Sequence, residues 1–271
     1  MDTPVSLGLS GSYFTRRYRD WDEQRLGGRV SLGYQWVEND LSMAVAYRGE
    51  DVKISNPSNP ALPALAEVVG SNALHGFKYT VANDTRDSAF LATEGHFLSL
   101  ELEGVLGSFT YPRAVVDGRQ YVLLSERPDH SGRHVLTLSS RVGVTGNNTP
   151  IYENFFAGGF STLRGFDFRG ASPVEQNVQV GGQFEWINTV EYLFPLTADD
   201  MIHGVAFVDF GTVEQDITIT GNNFRVAPGL GLRITVPAMG PAPIALDFAF
   251  PVAKAETDET QVFSFNIGLQ R

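Results

Sequence analysis

From one end of this chain to the other, apolar and polar residues alternate in segments long enough to cross a bilayer as strands. In "RVSLGYQWV", Val30, Leu32, Tyr34 and Trp36 fall on one face, with Ser31, Gly33 and Gln35 on the other. "LSMAVAYR" sets Leu41, Met43, Val45 and Tyr47 against Ser42, Ala44, Ala46 and Arg48. His96, Leu98, Leu100 and Leu102 oppose Phe97, Ser99, Glu101 and Glu103. "GLGLRITV" places Leu230, Leu232, Ile234 and Val236 opposite Gly229, Gly231, Arg233 and Thr235. The last such segment, "VFSFNIGLQR", separates Phe263, Phe265, Ile267 and Leu269 from Ser264, Asn266, Gly268 and Gln270. A period of two belongs to strands, not helices.

Counting these segments predicts about twelve strands, centred near residues 9, 31, 45, 79, 101, 118, 139, 188, 208, 231, 247 and 266. Short turns such as Val37–Asp40 and Ala238–Pro243 alternate with longer connections at 55–72 and 146–178. Within the first of these, "NPALPALAEVVG" has room for one or two helical turns. Short turns on one side and long loops on the other describe an up-and-down transmembrane barrel. A soluble β-sandwich or lipocalin-like barrel shares the alternation. Two features favour the membrane. The second face of most strands carries Ser, Gly, Gln, Thr and charges, as a wet lumen requires. Aromatics also gather near strand ends, at Tyr13–Phe14, Tyr34–Trp36, Tyr192–Phe194 and Phe248–Phe250, where interfacial girdles belong. The expected fold is therefore an all-β, antiparallel barrel forming a single domain over residues 1–271.

Composition removes other classes. The net charge of −11 and the absence of any basic block argue against a nucleic-acid partner. With no cysteine there is no disulfide, thiol catalysis or cysteine metal site. The five histidines (His75, His96, His130, His134 and His203) show no metal-ligand spacing, so neither metal nor cofactor is expected. No run of 18 apolar residues encodes a spanning helix, and the first residues lack a secretion signal. A mean hydropathy of −0.09 suits a barrel, since only alternate residues must face lipid.

One stretch breaks the pattern. "ENFFAGGFSTLRGFDFRGASP", Glu153 to Pro173, crowds aromatics, glycines and two arginines together with no simple period. If its loop folds back into the barrel, Arg164 enters a confined lumen and requires carboxylates, which match its fork of donors. The following strands supply them. Glu185 and Glu191 share a face with Ile187 and Thr189, opposite Trp186, Val190, Tyr192 and Phe194. Asp209 lies opposite Ala206, Val208 and Phe210. Gly165 permits a tight tip, and Phe166 is placed to wedge against the wall.

"FFAGGFSTLRGF", then "EWINTVEYLFPL", "FVDFGTV", "GLGLRITVPAMGPAPIALDFAFPV" and a final "FSFNIGLQR" resemble the C-terminal, surface-antigen type barrel of the Omp85 superfamily. The resemblance runs in detail from residue 83 onward and more loosely before it. It implies proteins that insert or translocate other proteins at outer membranes. It also implies that the tip Leu163-Arg164-Gly165-Phe166 reaches inward, its arginine paired with Glu191 and with Asp209. Phe207, Gly211 and the Gly158–Gly159 pair are then supporting residues. Leu163 stands where valine is commoner.

Family barrels have sixteen strands, five of them after the arginine loop. Five follow it here, but only about seven precede it. The expectation is a piece lacking four strands and the periplasmic POTRA domains, in preference to a reduced barrel. The closing strand, 261–270 with Phe263 and Phe265, would pair weakly at Gly268, and a client strand could pair with the edge so exposed.

The implied function is an outer-membrane assembly factor without covalent chemistry, in a Gram-negative-type envelope. Its partners would be lipids, unfolded outer-membrane clients, POTRA domains and accessory subunits. Alternatives are a two-partner secretion or other translocation pore, a barrel anchoring an upstream enzyme, and a passive porin. No G-x-S-x-G elbow occurs in the chain.

Overall fold

A computed structural model describes residues 4–219, 221–236 and 242–268. Twelve strands form one antiparallel sheet in strict chain order. They are β1 (Val5–Arg17), β2 (Asp22–Trp36), β3 (Leu41–Ser55), β4 (Gly70–Asp84), β5 (Gly95–Gly107) and β6 (Tyr111–Ser125). They continue as β7 (His134–Thr145), β8 (Phe184–Pro195), β9 (Ile202–Glu214), β10 (Arg225–Ile234), β11 (Ile244–Ala249) and β12 (Phe263–Ile267). Every expected strand centre falls inside one of them. Of the expected last strand, Leu269 and Gln270 lie outside the described residues, as do residues 238–241 of the expected 238–243 turn.

The alternation decides which face each residue takes. On β2, Val30, Leu32, Tyr34 and Trp36 are exposed on the outer face, and on β5 so are Leu98, Leu100, Leu102 and Leu106. Rows of exposed aliphatics on successive strands would be costly in water and are favourable in hydrocarbon. Tyr13 and Phe14, expected together in a girdle, are adjacent residues and so point to opposite faces. Only Tyr13 shares the outer face with Leu7 and Leu9, through its pairing with Leu26.

The sheet is curved but not closed: among the described residues no ladder joins β1 to β12. Closure requires strand number, tilt and shear to agree.

The longer connections, 56–69, 146–183, 215–224 and 250–262, share one end of the sheet with the tight turns 18–21 and 108–110. At the other end, 85–94 is longer than a simple turn. It closes on itself through Asp87, whose carboxylate accepts from Thr93 N and Oγ1 and from Glu94 N. The loop 146–183 starts where expected and ends five residues later than 178.

The interior is drier than the expected wet lumen, because the folded-in loops bring their own apolar residues. One buried cluster joins Trp21, Val52 and Ile54 to Leu62, Leu65 and Val68 of the 56–69 loop and to Ile151, Tyr152, Val178 and Val180. A single helical turn, α1 (Pro63–Ala66), begins on proline and carries Leu65 into this cluster. A second cluster packs Leu163 and Phe166 against Ile187, Val205, Phe207 and Ala249.

Candidate functional site

The loop after β7 is fastened inside the sheet at two points. Its tip carries Arg164, which is fully buried at 0% exposure. Arg164 donates from Nε to Asp209 Oδ2 at 2.8 Å, from Nη2 to Asp209 Oδ1 at 2.9 Å and from its backbone N to Asp209 Oδ2 at 3.0 Å. Thr189 Oγ1 adds a fourth donor to Asp209 at 2.8 Å. The remaining terminal nitrogen, Nη1, reaches Glu191 Oε2 at 2.8 Å and Asp247 Oδ2 at 3.3 Å. The Phe207 ring lies beneath, its centroid 3.2 Å from the guanidinium carbon.

Two members of this network were not singled out from sequence. Asp247 of β11 is a third acid, fully buried. Arg233 of β10 donates to Asp247 Oδ1 at 2.7 Å and to Glu191 Oε2 at 3.1 Å. Two guanidinium groups and three carboxylates thus interlock across β8, β9, β10 and β11. Arg164 sits on the loop, not on a spanning strand. Burial alone would lower its pKa, but Asp209, Glu191 and Asp247 outweigh that and raise it, so the charge is permanent.

The other expected tip residues support the arginine. Gly165 has φ +91°, and a Cβ there would press on Pro251 and Ala249. Its backbone and that of Phe166 pair with Gln261 and Thr260 in a two-residue ladder, tying the tip to the connection before β12. Gly159 N donates to Phe166 O at 3.0 Å, and Gly158 N to Thr162 Oγ1 at 2.9 Å. At Gly211 a Cβ would lie 2.1 Å from the Trp186 carbonyl oxygen, a close approach of β9 to β8 that only glycine allows. Phe263 and Phe265 are not brought to the site. They are exposed on the outer face of β12. Gly268 follows the strand instead of interrupting it, and its N–H reaches Pro243 O at 3.2 Å.

The second fastening, at Glu153, is the first residue of the stretch that broke the alternation, and sequence gave it no role. Glu153 is buried. It pairs with Arg25 Nη1 at 2.7 Å and Arg48 Nη2 at 3.0 Å, with Arg113 Nη1 at 3.9 Å, and accepts from Tyr111 Oη at 3.0 Å. Those arginines stand on β2, β3 and β6. Burial pushes the Glu153 carboxyl up, yet Arg25, Arg48 and Arg113 prevail and hold it at about 2.

An antiparallel sheet with an aliphatic outer face, and an inner face filled by a loop held on ion pairs, defines the wall of a transmembrane β-barrel. The Omp85 superfamily domain matches residues 1–270, and the chain belongs to that superfamily. It is similar to a SAM50-like protein of Drosophila melanogaster, 30% identical over 245 residues, covering 85% of this chain and 53% of that one. An outer membrane protein assembly factor BamA of Nitratidesulfovibrio vulgaris is 24% identical over 281 residues, covering 98% of this chain and 34% of that one. The chain thus spans about half the length of the first relative and about a third of the second. The crystal structure of BamA from Haemophilus ducreyi lacking POTRA domains 1–3 superposes with a TM-score of 0.80 at 18% identity, over 96% of this chain and 58% of that one. So close a match over nearly all the chain means that the twelve strands keep the curvature of the larger structure.

Proposed function

We propose that the chain is the barrel wall of an outer-membrane assembly factor that catalyses no covalent chemistry and engages clients at a strand edge. The observation that carries this is the loop held inside the sheet by Arg164. A diffusion pore needs an open lumen, and here the loop and its two apolar clusters occupy it. A client is then better accommodated at an edge, where unpaired backbone groups accept another strand. The outer edge of β12 has no partner strand among the described residues. The BamA relatives, named as assembly factors, support the same reading. Relatives from an insect and a yeast as well as from bacteria support an outer membrane in general. A Gram-negative envelope, POTRA domains and accessory subunits are the more specific part of the proposal.

The test is a photo-cross-linker at Phe265 in the full-length protein in its membrane. Client segments should be captured there during assembly, and Arg164→Ala should reduce capture. Capture at the lumenal Arg29 position and none at Phe265 would instead favour translocation through the lumen.

A further inference from the structure

Away from the network just described, the tight turn between β1 and β2 meets the loop just beyond its tip, and four arginines gather there. Arg16 and Arg17 come from the end of β1, Arg19 from the turn and Arg169 from the loop, together lining a cavity of about 250 Å³. In a chain of net charge −11 such a concentration of cations requires a reason.

Arg169 is held by rings. Its guanidinium carbon lies 3.9 Å from the Tyr18 centroid and 3.9 Å from that of Phe156. Cation–π contact offsets part of the cost of burying the charge, but it leaves all five N–H donors unused. Among the described residues no carboxylate and no hydrogen-bond acceptor meets the Arg169 side chain, and burial pushes its pKa down. Among the described residues Arg17 likewise has no acid partner, and neither has Arg16, which donates to Tyr18 Oη at 3.4 Å and lies 5.5 Å from the Phe14 centroid. Arg19 is paired with Glu259.

The other two acids of the lining are already engaged. Asp20 accepts from Ser58 Oγ at 3.0 Å and Gln179 N at 2.9 Å, and Asp167 accepts from Phe168 N at 2.7 Å. The cavity therefore offers guanidinium forks without enough carboxylate to meet them. Phosphate oxygens suit those forks best.

We infer that this cavity binds a phosphate group, with Arg17 and Arg169 as its main donors. This inference is independent of the assembly reading. A lipid headgroup and free phosphate both supply the chemistry. The lipid is favoured by position: the outer face of β1 is apolar through Leu7, Leu9 and Tyr13 and reaches Arg17 where the strand ends. That is the level at which interfacial aromatics give way to headgroups.

The experiment uses the full-length protein in phosphatidylcholine nanodiscs with and without phosphatidic acid, scored by native mass spectrometry. Inorganic phosphate is titrated calorimetrically in parallel. Wild type should retain phosphatidic acid, and R17Q/R169Q should bind it about tenfold less tightly. R16Q/R17Q keeps Arg169 and all of its rings and should also weaken retention, which separates binding from loss of the cage. Arg29→Gln, the same kind of substitution on β2 outside the cavity, should change nothing. Binding of inorganic phosphate without lipid retention, lost in the same variants, would keep the site and assign it to a free anion. If both double variants hold lipid and phosphate as wild type does, the inference is overturned.

Discussion

The two fastenings of the internal loop are mirror images in charge and unlike in energetics. At Glu153 one anion is met by Arg25, Arg48 and Arg113; at Arg164 one cation is met by Asp209, Glu191 and Asp247. The arginines around Glu153 remain partly solvated and hold second partners: Arg25 has Glu23 and Glu50, and Arg48 has Glu50 and Glu103. Asp209 and Asp247 are both at 0% exposure, and their nearest cations are Arg164 and Arg233. Losing the hub therefore has different consequences. At the first anchor the orphaned groups fall back on neighbours and water. At the second, Arg233 still meets Glu191 and Asp247, but the fully buried Asp209 loses its arginine. The charge of the loop start is balanced with redundancy, whereas that of Asp209 at the tip rests on Arg164.

The largest effect should follow Arg164→Ala. It takes the arginine from the fully buried Asp209 and leaves Glu191 and Asp247 to Arg233 alone, and a loss of about 3–5 kcal/mol is expected, read as a lower midpoint of heat-induced mobility shift on gels. Glu153→Gln should cost less, about 1–3 kcal/mol in the same assay, because Arg25 and Arg48 keep other acids. Equal losses would erase the contrast. Coupling sharpens it further. Arg164→Ala and Arg233→Gln share Glu191 and Asp247, so their effects should deviate from additivity by about 0.5–3 kcal/mol. Arg164→Ala and Glu153→Gln share no partner and should add within about 0.5 kcal/mol.

The smallest effect concerns pH. The folded Glu153 carboxyl lies at about 2, below the unfolded value near 4.3. Its contribution is thus complete above that unfolded value and is lost as pH falls towards 2. Pepsin cleavage around residues 151–156 should rise over that acid window in wild type and be pH-insensitive in Glu153→Gln once corrected for protease activity.

Much of this was legible in the sequence because a strand's period of two leaves no freedom: once Val190 and Tyr192 face outward, Glu191 must face inward. The same parity placed Asp209 inward. It also put Arg233 on the polar face, and the alternation of Leu246, Asp247 and Phe248 carries the same signal for Asp247. These two were missed because a pair of acids already accounted for one arginine. Glu153 is a different matter. Its partners lie on β2, β3 and β6, and nothing local in the chain says that a residue just past β7 will cross the interior to them. The burial of Leu62, Leu65 and Val68 was hidden for the same reason, since a loop's apolar residues reveal their destination only in three dimensions.

The central claim is that the loop tip is gripped inside the barrel by Asp209, and hydrogen exchange tests it most directly. The backbone N–H groups of Arg164 and Gly159 are both hydrogen-bonded, to Asp209 Oδ2 and Phe166 O. Residues 159–168 should therefore be protected in wild type and exchange quickly in Asp209→Asn. Exchange of 159–168 in wild type as fast as in the 126–133 connection at the opposite end would contradict the account.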